Sequence, residues 1–138
     1  MLVGEAMTPE CHYCDAGDGL AKIAGIMAAE GVGAVPVGRG DSLVGMVTDR
    51  DIVVHGLARG GDVTALTAAD VMAAPVHYCF DDQDCAEVAG QMAESQVPVV
   101  NRDKRLRGMV SVGDLARGSQ HKATARAVEG IKRTVQTA

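Results

Sequence analysis

The sequence predicts an α/β (α+β) chain built from two pseudo-symmetric copies of one unit, each a small mixed sheet flanked by helices. Three observations carry that prediction. His12-Tyr13-Cys14 returns as His77-Tyr78-Cys79, an offset of 65 (77 − 12). The helix-spaced set Leu20, Ile23, Ala24 and Met27 maps at the same offset onto Cys85, Val88, Ala89 and Met92, and Met7 onto Met72. After short length changes, Leu43-Val44-Gly45-Met46-Val47-Thr48 answers Leu106-Arg107-Gly108-Met109-Val110-Ser111, and Asp51 answers Asp114. Self-similarity over most of a chain marks a repeat architecture, because each copy needs its neighbour to bury a continuous core.

Each copy reads as a short helix, a strand, a helix, two strands and a helix. In copy one, Glu5-Ala6-Met7 ends a short helix that Thr8-Pro9 breaks. Cys11 to Cys14 reads as an edge-like strand. Asp18 is placed to cap the next helix, whose apolar face is Leu20, Ile23, Ala24 and Met27, and Gly31 supplies a left-handed stop. Gly33-Ala34-Val35-Pro36-Val37 and Leu43-Val44-Gly45-Met46-Val47 are apolar strands, with a hairpin turn over Gly38 to Ser42. Thr48 then caps a helix running through Ile52, Val53 and Leu57, and Thr67 caps the short helix that opens copy two. The expected divisions are copy one over 1–60, a linker over 61–66, copy two over 67–118 and a helical tail over 119–138. That tail spaces Ala125, Val128, Ile131 and Val135 along one helix face. Copy two departs in one place: where copy one reads Val32-Gly33-Ala34-Val35-Pro36-Val37, it reads Val97-Pro98-Val99, as if the strand were shortened by three residues before Pro98.

At 138 residues the chain fits one compact domain by size, and a hydrophobic fraction of 47% is enough for a core. No apolar run is long enough for a bilayer and no leader-like segment opens the chain, so the expected compartment is the cytoplasm, with no membrane partner. The net charge of −5 hides an asymmetry: residues 1–100 sum to −11 (4 basic, 15 acidic) and residues 101–138 to +6 (9 basic, 3 acidic). Nucleic-acid binding is not expected, because the total is acidic and the basic residues are not interleaved with aromatics.

The residues that point to chemistry stand at the junction of an apolar strand and a helix. Gly45-Met46-Val47-Thr48-Asp49-Arg50-Asp51 is echoed by Gly108-Met109-Val110-Ser111-Val112-Gly113-Asp114. A hydroxyl at a helix N-terminus sits beside unpaired backbone N–H groups and the positive end of the dipole, which suits a phosphate. The carboxylate three residues on lies one turn deeper on the same side, within reach of vicinal hydroxyls such as those of ribose. The same pattern is also a plain helix cap, and the two readings use the same donors.

With those junctions, Val3-Gly4-Glu5-Ala6-Met7-Thr8 and Ala69-Asp70-Val71-Met72 at the starts, and Ala34-Val35-Pro36-Val37 before the hairpin, the chain resembles a pair of cystathionine-β-synthase (CBS) domains, a Bateman module, over roughly residues 3–117. The resemblance implies a pseudo-symmetric pair with two clefts for adenosyl compounds such as AMP, ADP, ATP or S-adenosylmethionine. It implies Thr48 and Ser111 facing phosphate, Asp51 and Asp114 holding ribose, and backbone around Ala34, Val35 and Pro36 lining the base. Arg50 adds a cation to the first site, whereas copy two has Gly113 there and a shortened strand, so the first site is expected to be the stronger. The implied function is a non-enzymatic sensor in a homodimer, acting on an effector protein in trans and requiring no cofactor. The alternative is a structural or interaction module whose nucleotide sites have degenerated, with or without a stabilising metal.

Cys11 and Cys14 form a Cys-x-x-Cys, and His77 and Cys79 repeat His12 and Cys14. On a strand, residues three apart face opposite ways, so Cys11 and Cys14 cannot share an ion unless the chain turns there, while His12 with Cys14 and His77 with Cys79 each share a face. No metal is expected; those four are the candidates if one binds. Arg102-Asp103-Lys104-Arg105-Leu106-Arg107, the densest basic run, falls in the copy-two hairpin as a solvated turn or a contact for anions.

Overall fold

The computed structural model describes residues 1–9, 11–92 and 96–118, so the expected tail helix lies outside the described residues. The mixed α/β architecture is as the repeat predicts. The chain forms two compact units: His12–Val76, which is contiguous, and Met1–Cys11 joined with the chain from His77 on, which is split.

The units do not follow the sequence copies, and the reason is strand pairing. The leading segment of copy one, α1 (Val3–Ala6) and β1 (Thr8–Pro9), belongs to the split unit with copy two. The contiguous unit begins with β2 (Cys14–Asp15) and α2 (Leu20–Glu30), then the hairpin of β3 (Ala34–Arg39) and β4 (Ser42–Thr48). A continuous helical segment follows: α3 (Asp49–Asp51), a π turn over Ile52–Gly56 and a 3-10 turn over Leu57–Arg59. The leading segment of copy two, α4 (Ala68–Val71), closes this unit. Ala73 exchanges two backbone hydrogen bonds with Met46, at 3.2 and 2.9 Å. The split unit continues with β5 (Cys79–Phe80), α5 (Cys85–Gln91), β6 (Gln96–Val100), β7 (Leu106–Ser111) and α6 (Val112–Gly118). There β1 takes the role of Ala73, pairing antiparallel with β7 through Thr8 opposite Met109 and Pro9 opposite Gly108. The sheet orders are β2-β3-β4 and β1-β7-β6-β5.

Both hairpins keep one register, and this corrects the expectation about Pro98. Ala34 faces Thr48 and Pro36 faces Met46; Gln96 faces Ser111 and Pro98 faces Met109. Each hairpin carries an irregularity just past the valine after proline. The strand before Pro98 is therefore not shortened, and no side chain changes face. The missing residues come from the helix end instead: α2 spans 11 residues to a left-handed Gly31 (φ 66°), whereas α5 spans 7 and ends at Gln91. Both prolines sit one residue before the parallel neighbour begins to pair, at Val37 and Val99, so neither removes a ladder bond to it.

Smaller expectations also shift. The strand expected over Cys11 to Cys14 starts only at Cys14. Gly19 rather than Asp18 is the N-cap of α2; Asp18 accepts the Asp15 N–H at 2.8 Å and pairs with Lys22 at 3.2 Å, contacts that hold its carboxyl below the ordinary carboxylate range. In copy two the aspartate stands one position later, and Asp84 does cap α5, accepting from the Ala86 N–H at 3.1 Å. Ala24 is exposed because the buried arc of α2 centres on Ile23, and one residue further turns the side chain by about 100°. Thr67 caps α4 as expected. Its N–H donates to Asp70 at 2.8 Å and holds that carboxyl below the usual range.

Each unit has its own apolar core. Cys14, Leu20, Ile23, Met27, Val35, Val37, Val47 and Val71 fill the contiguous unit. Val3, Met7, Cys79, Cys85, Val88, Val97, Val99, Val110 and Leu115 fill the split one. Among the described residues, no helix is long and apolar enough to cross a membrane.

Candidate functional site: two capped strand-to-helix junctions

The register of β3 and β4 assembles the first candidate site. It sets Ala34 beside Thr48, the last residue of β4 and the N-cap of α3. Val35 is fully buried and Pro36 nearly so, so these two offer backbone rather than side chain. Thr48 and Asp51 form a reciprocal cap. The Thr48 N–H donates to Asp51 Oδ2 at 2.9 Å, and the Asp51 N–H donates to Thr48 Oγ1 at 3.1 Å. The other carboxylate oxygen, Oδ1, has His55 Nε2 at 3.9 Å, beyond hydrogen-bond range.

The first-turn N–H groups are not left unpaired for a phosphate, contrary to the expectation from sequence. The Asp49 N–H donates to the Gly33 carbonyl at 2.9 Å, and the Arg50 N–H to Asp49 Oδ1 at 2.8 Å. An anion arriving here would meet the exposed Arg50 side chain, not bare amides.

Copy two reproduces the cap to the same distances. The Ser111 N–H donates to Asp114 Oδ2 at 2.9 Å and the Asp114 N–H to Ser111 Oγ at 3.1 Å. Two differences follow. Buried Val112 replaces Asp49, so that carboxylate has no counterpart. Asp114 Oδ1 is taken by Arg117 Nη2 from the next turn. Neither Arg117 nor His55 was singled out from the sequence, although cations three and four residues past an aspartate on a helix are the signal for both.

The four metal candidates do not assemble. His12 precedes β2, is exposed and pairs with Glu30 at 3.1 Å, while Cys14 lies in the core. His77 is exposed and Cys79 is buried. Burial, with Asp18 nearby, pushes the Cys14 thiol up to about 11; burial, with Cys85 nearby, pushes Cys79 up to about 12. Such thiols stay protonated near neutrality and are poor thiolate donors. Among the described residues, no group of three or more His, Cys, Asp or Glu is placed to hold a metal ion. In the basic hairpin, Arg102 grips Asp82 at 2.7 to 3.1 Å and stacks 4.0 Å over Phe80, and Arg107 lies 3.7 Å from Asp81. Their charge is largely matched within the unit.

Two copies of a strand, a helix, a hairpin and a capped helix, each with a hydroxyl and a carboxylate at the junction, define a tandem two-copy module. The chain belongs to the CBS domain family, whose model matches residues 3–57 and 68–121. It is 36% identical over 116 residues to Hypoxic response protein 1 of Mycobacterium tuberculosis, covering 81% of this chain and 80% of that protein. The crystal structure of Hypoxic Response Protein I with two coordinated zinc ions matches at a TM-score of 0.74 and 31% identity, over 86% of this chain and 99% of that one. CBSX2 in complex with AMP matches at a TM-score of 0.67 and 22% identity, over 84% and 93%, a likeness of fold.

Proposed function

We propose that this chain is a non-enzymatic regulatory module that binds an adenosyl ligand and acts on a partner protein in trans. The observation that carries the reading is the Asp51 carboxylate. One oxygen is fixed by the Thr48 N–H, which orients the group, and the other has no hydrogen-bond partner among the described residues. A fixed carboxylate with a spare oxygen is suited to accept from vicinal ribose hydroxyls. In this reading Ala34, Val35 and Pro36 present backbone to the base, and Thr48 and Arg50 meet phosphate. Ser111 and Asp114 form the weaker site. Membership of the CBS family and the AMP held by CBSX2 support the ligand class.

The module is proposed to be a cytoplasmic homodimer. Val53, Val54 and Leu57 stand 54, 39 and 58% exposed on the helical segment after Thr48, an apolar stretch that a second copy would cover. Calorimetric titration with AMP, ADP, ATP and S-adenosylmethionine tests the central claim. Saturable heat is expected for at least one of them; no binding by any of the four would sink it.

A further inference from the structure

We propose that Arg117 closes the second site, by occupying the one Asp114 oxygen that a ribose would need. This rests on the reading above, in which Asp51 and Asp114 are the ribose-holding groups. In both copies Oδ2 is committed to the cap at 2.9 Å, so a diol must be held largely through Oδ1. In copy one that oxygen has no hydrogen-bond partner among the described residues, and the residue three positions past the aspartate is Val54, which cannot donate. In copy two the corresponding residue is Arg117, and its guanidinium is already bonded to Oδ1. Asp114 is also the one charged residue buried among those described, at 9% exposure, so little of its carboxylate is left for a ligand.

The partner is built to leave. The Arg117 side chain is 75% exposed, so its guanidinium reaches Oδ1 from the solvent side. Breaking it would return the guanidinium to solvent and free Oδ1 without disturbing the cap, which uses the other oxygen. What blocks Oδ1 in the second site is then a removable side chain, not the shape of the sheet, since both hairpins share one register.

Titration with AMP, read as ligands bound per chain, tests this. The parent should bind one. Arg117→Ala should bind two, Arg117→Lys one, and Arg117→Ala with Asp114→Ala one again, each variant first shown to be folded by circular dichroism. An Arg117→Ala protein that still binds one overturns the closure, and so does a parent that already binds two. Weaker binding in Arg117→Ala would make Arg117 a ligand contact and also overturn it. A parent that binds none while Arg117→Ala binds one would sink the copy-one site and keep the closure. Binding by neither would remove both.

Discussion

Asp51→Ala is expected to weaken adenosyl-ligand binding at least tenfold, while Asp114→Ala should change it by no more than about twofold, which is under 1 kcal/mol. Each charge-assisted hydrogen bond from a ribose hydroxyl is worth about 1.5–3 kcal/mol, and a tenfold loss needs about 1.4 kcal/mol. Asp114 has no such bond to lose while Arg117 holds its second oxygen. The Asp51 carboxylate also accepts the Thr48 N–H in the capping box of α3, so its removal costs stability as well, about 0.5–1.5 kcal/mol. Asp51→Asn separates the two effects, because an amide oxygen can still accept the Thr48 N–H but carries no charge. Calorimetric affinities and urea midpoints measured on all three variants check the prediction. Equal affinity losses at Asp51 and Asp114, or a greater one at Asp114, would show that the sites are ranked wrongly.

A second large effect is expected at Gly108, where the leading segment crosses β7. A Cβ there would lie 2.2 Å from the Thr8 carbonyl oxygen and 3.2 Å from Met7 Sδ. The obstacle is backbone, fixed by the pairing of β1 with β7, so Gly108→Ala must push the two strands apart. Gly45 is its counterpart in copy one. There the nearest atom is Met72 Sδ at 2.5 Å, the end of a flexible side chain, with the Ala73 carbonyl oxygen at 3.0 Å. Overpacking costs typically about 1–3 kcal/mol and sometimes more; Gly108→Ala should reach or pass the top of that range and Gly45→Ala should stay near the bottom. Chemical denaturation followed by circular dichroism measures both. If Gly45→Ala proved the more damaging, the close approach of Thr8 to β7 would be disproved.

The parts of this structure that sequence made legible are local. Thr48 with Asp51, Ser111 with Asp114 and Thr67 with Asp70 are contacts over three residues, readable from spacing because a helix N-terminus needs acceptors at that distance. Gly31 marked the end of α2 because a left-handed C-cap favours glycine. Pairing across the chain was not legible: nothing in Thr8-Pro9 says that its partner lies at Met109 and Gly108. The length change before Pro98 was assigned to the strand because proline is the visible anchor. The helix end that absorbs it has no glycine like Gly31 to mark the stop. Arg117 and His55 were missed because a cation past an aspartate on a helix ordinarily reads as solvated surface.

The split unit has a kinetic consequence. Its two pieces are separated in sequence by the 65 residues of the contiguous unit (76 − 12 + 1), so β1 can reach β7 only across that intervening stretch. As a disordered loop, the stretch would cost on the order of 4 kcal/mol to close. Once folded, it becomes a bridge with fixed ends, and most of that cost is already met by its own local contacts. The order of events is therefore set by topology: residues 12–76 should gain structure first and β1 should dock on β7 last. Pulsed hydrogen exchange during refolding would read this directly, as early protection of the Val35 and Val47 amides and late protection of the Thr8 amide. Simultaneous protection would mean that the two units fold as a single cooperative body.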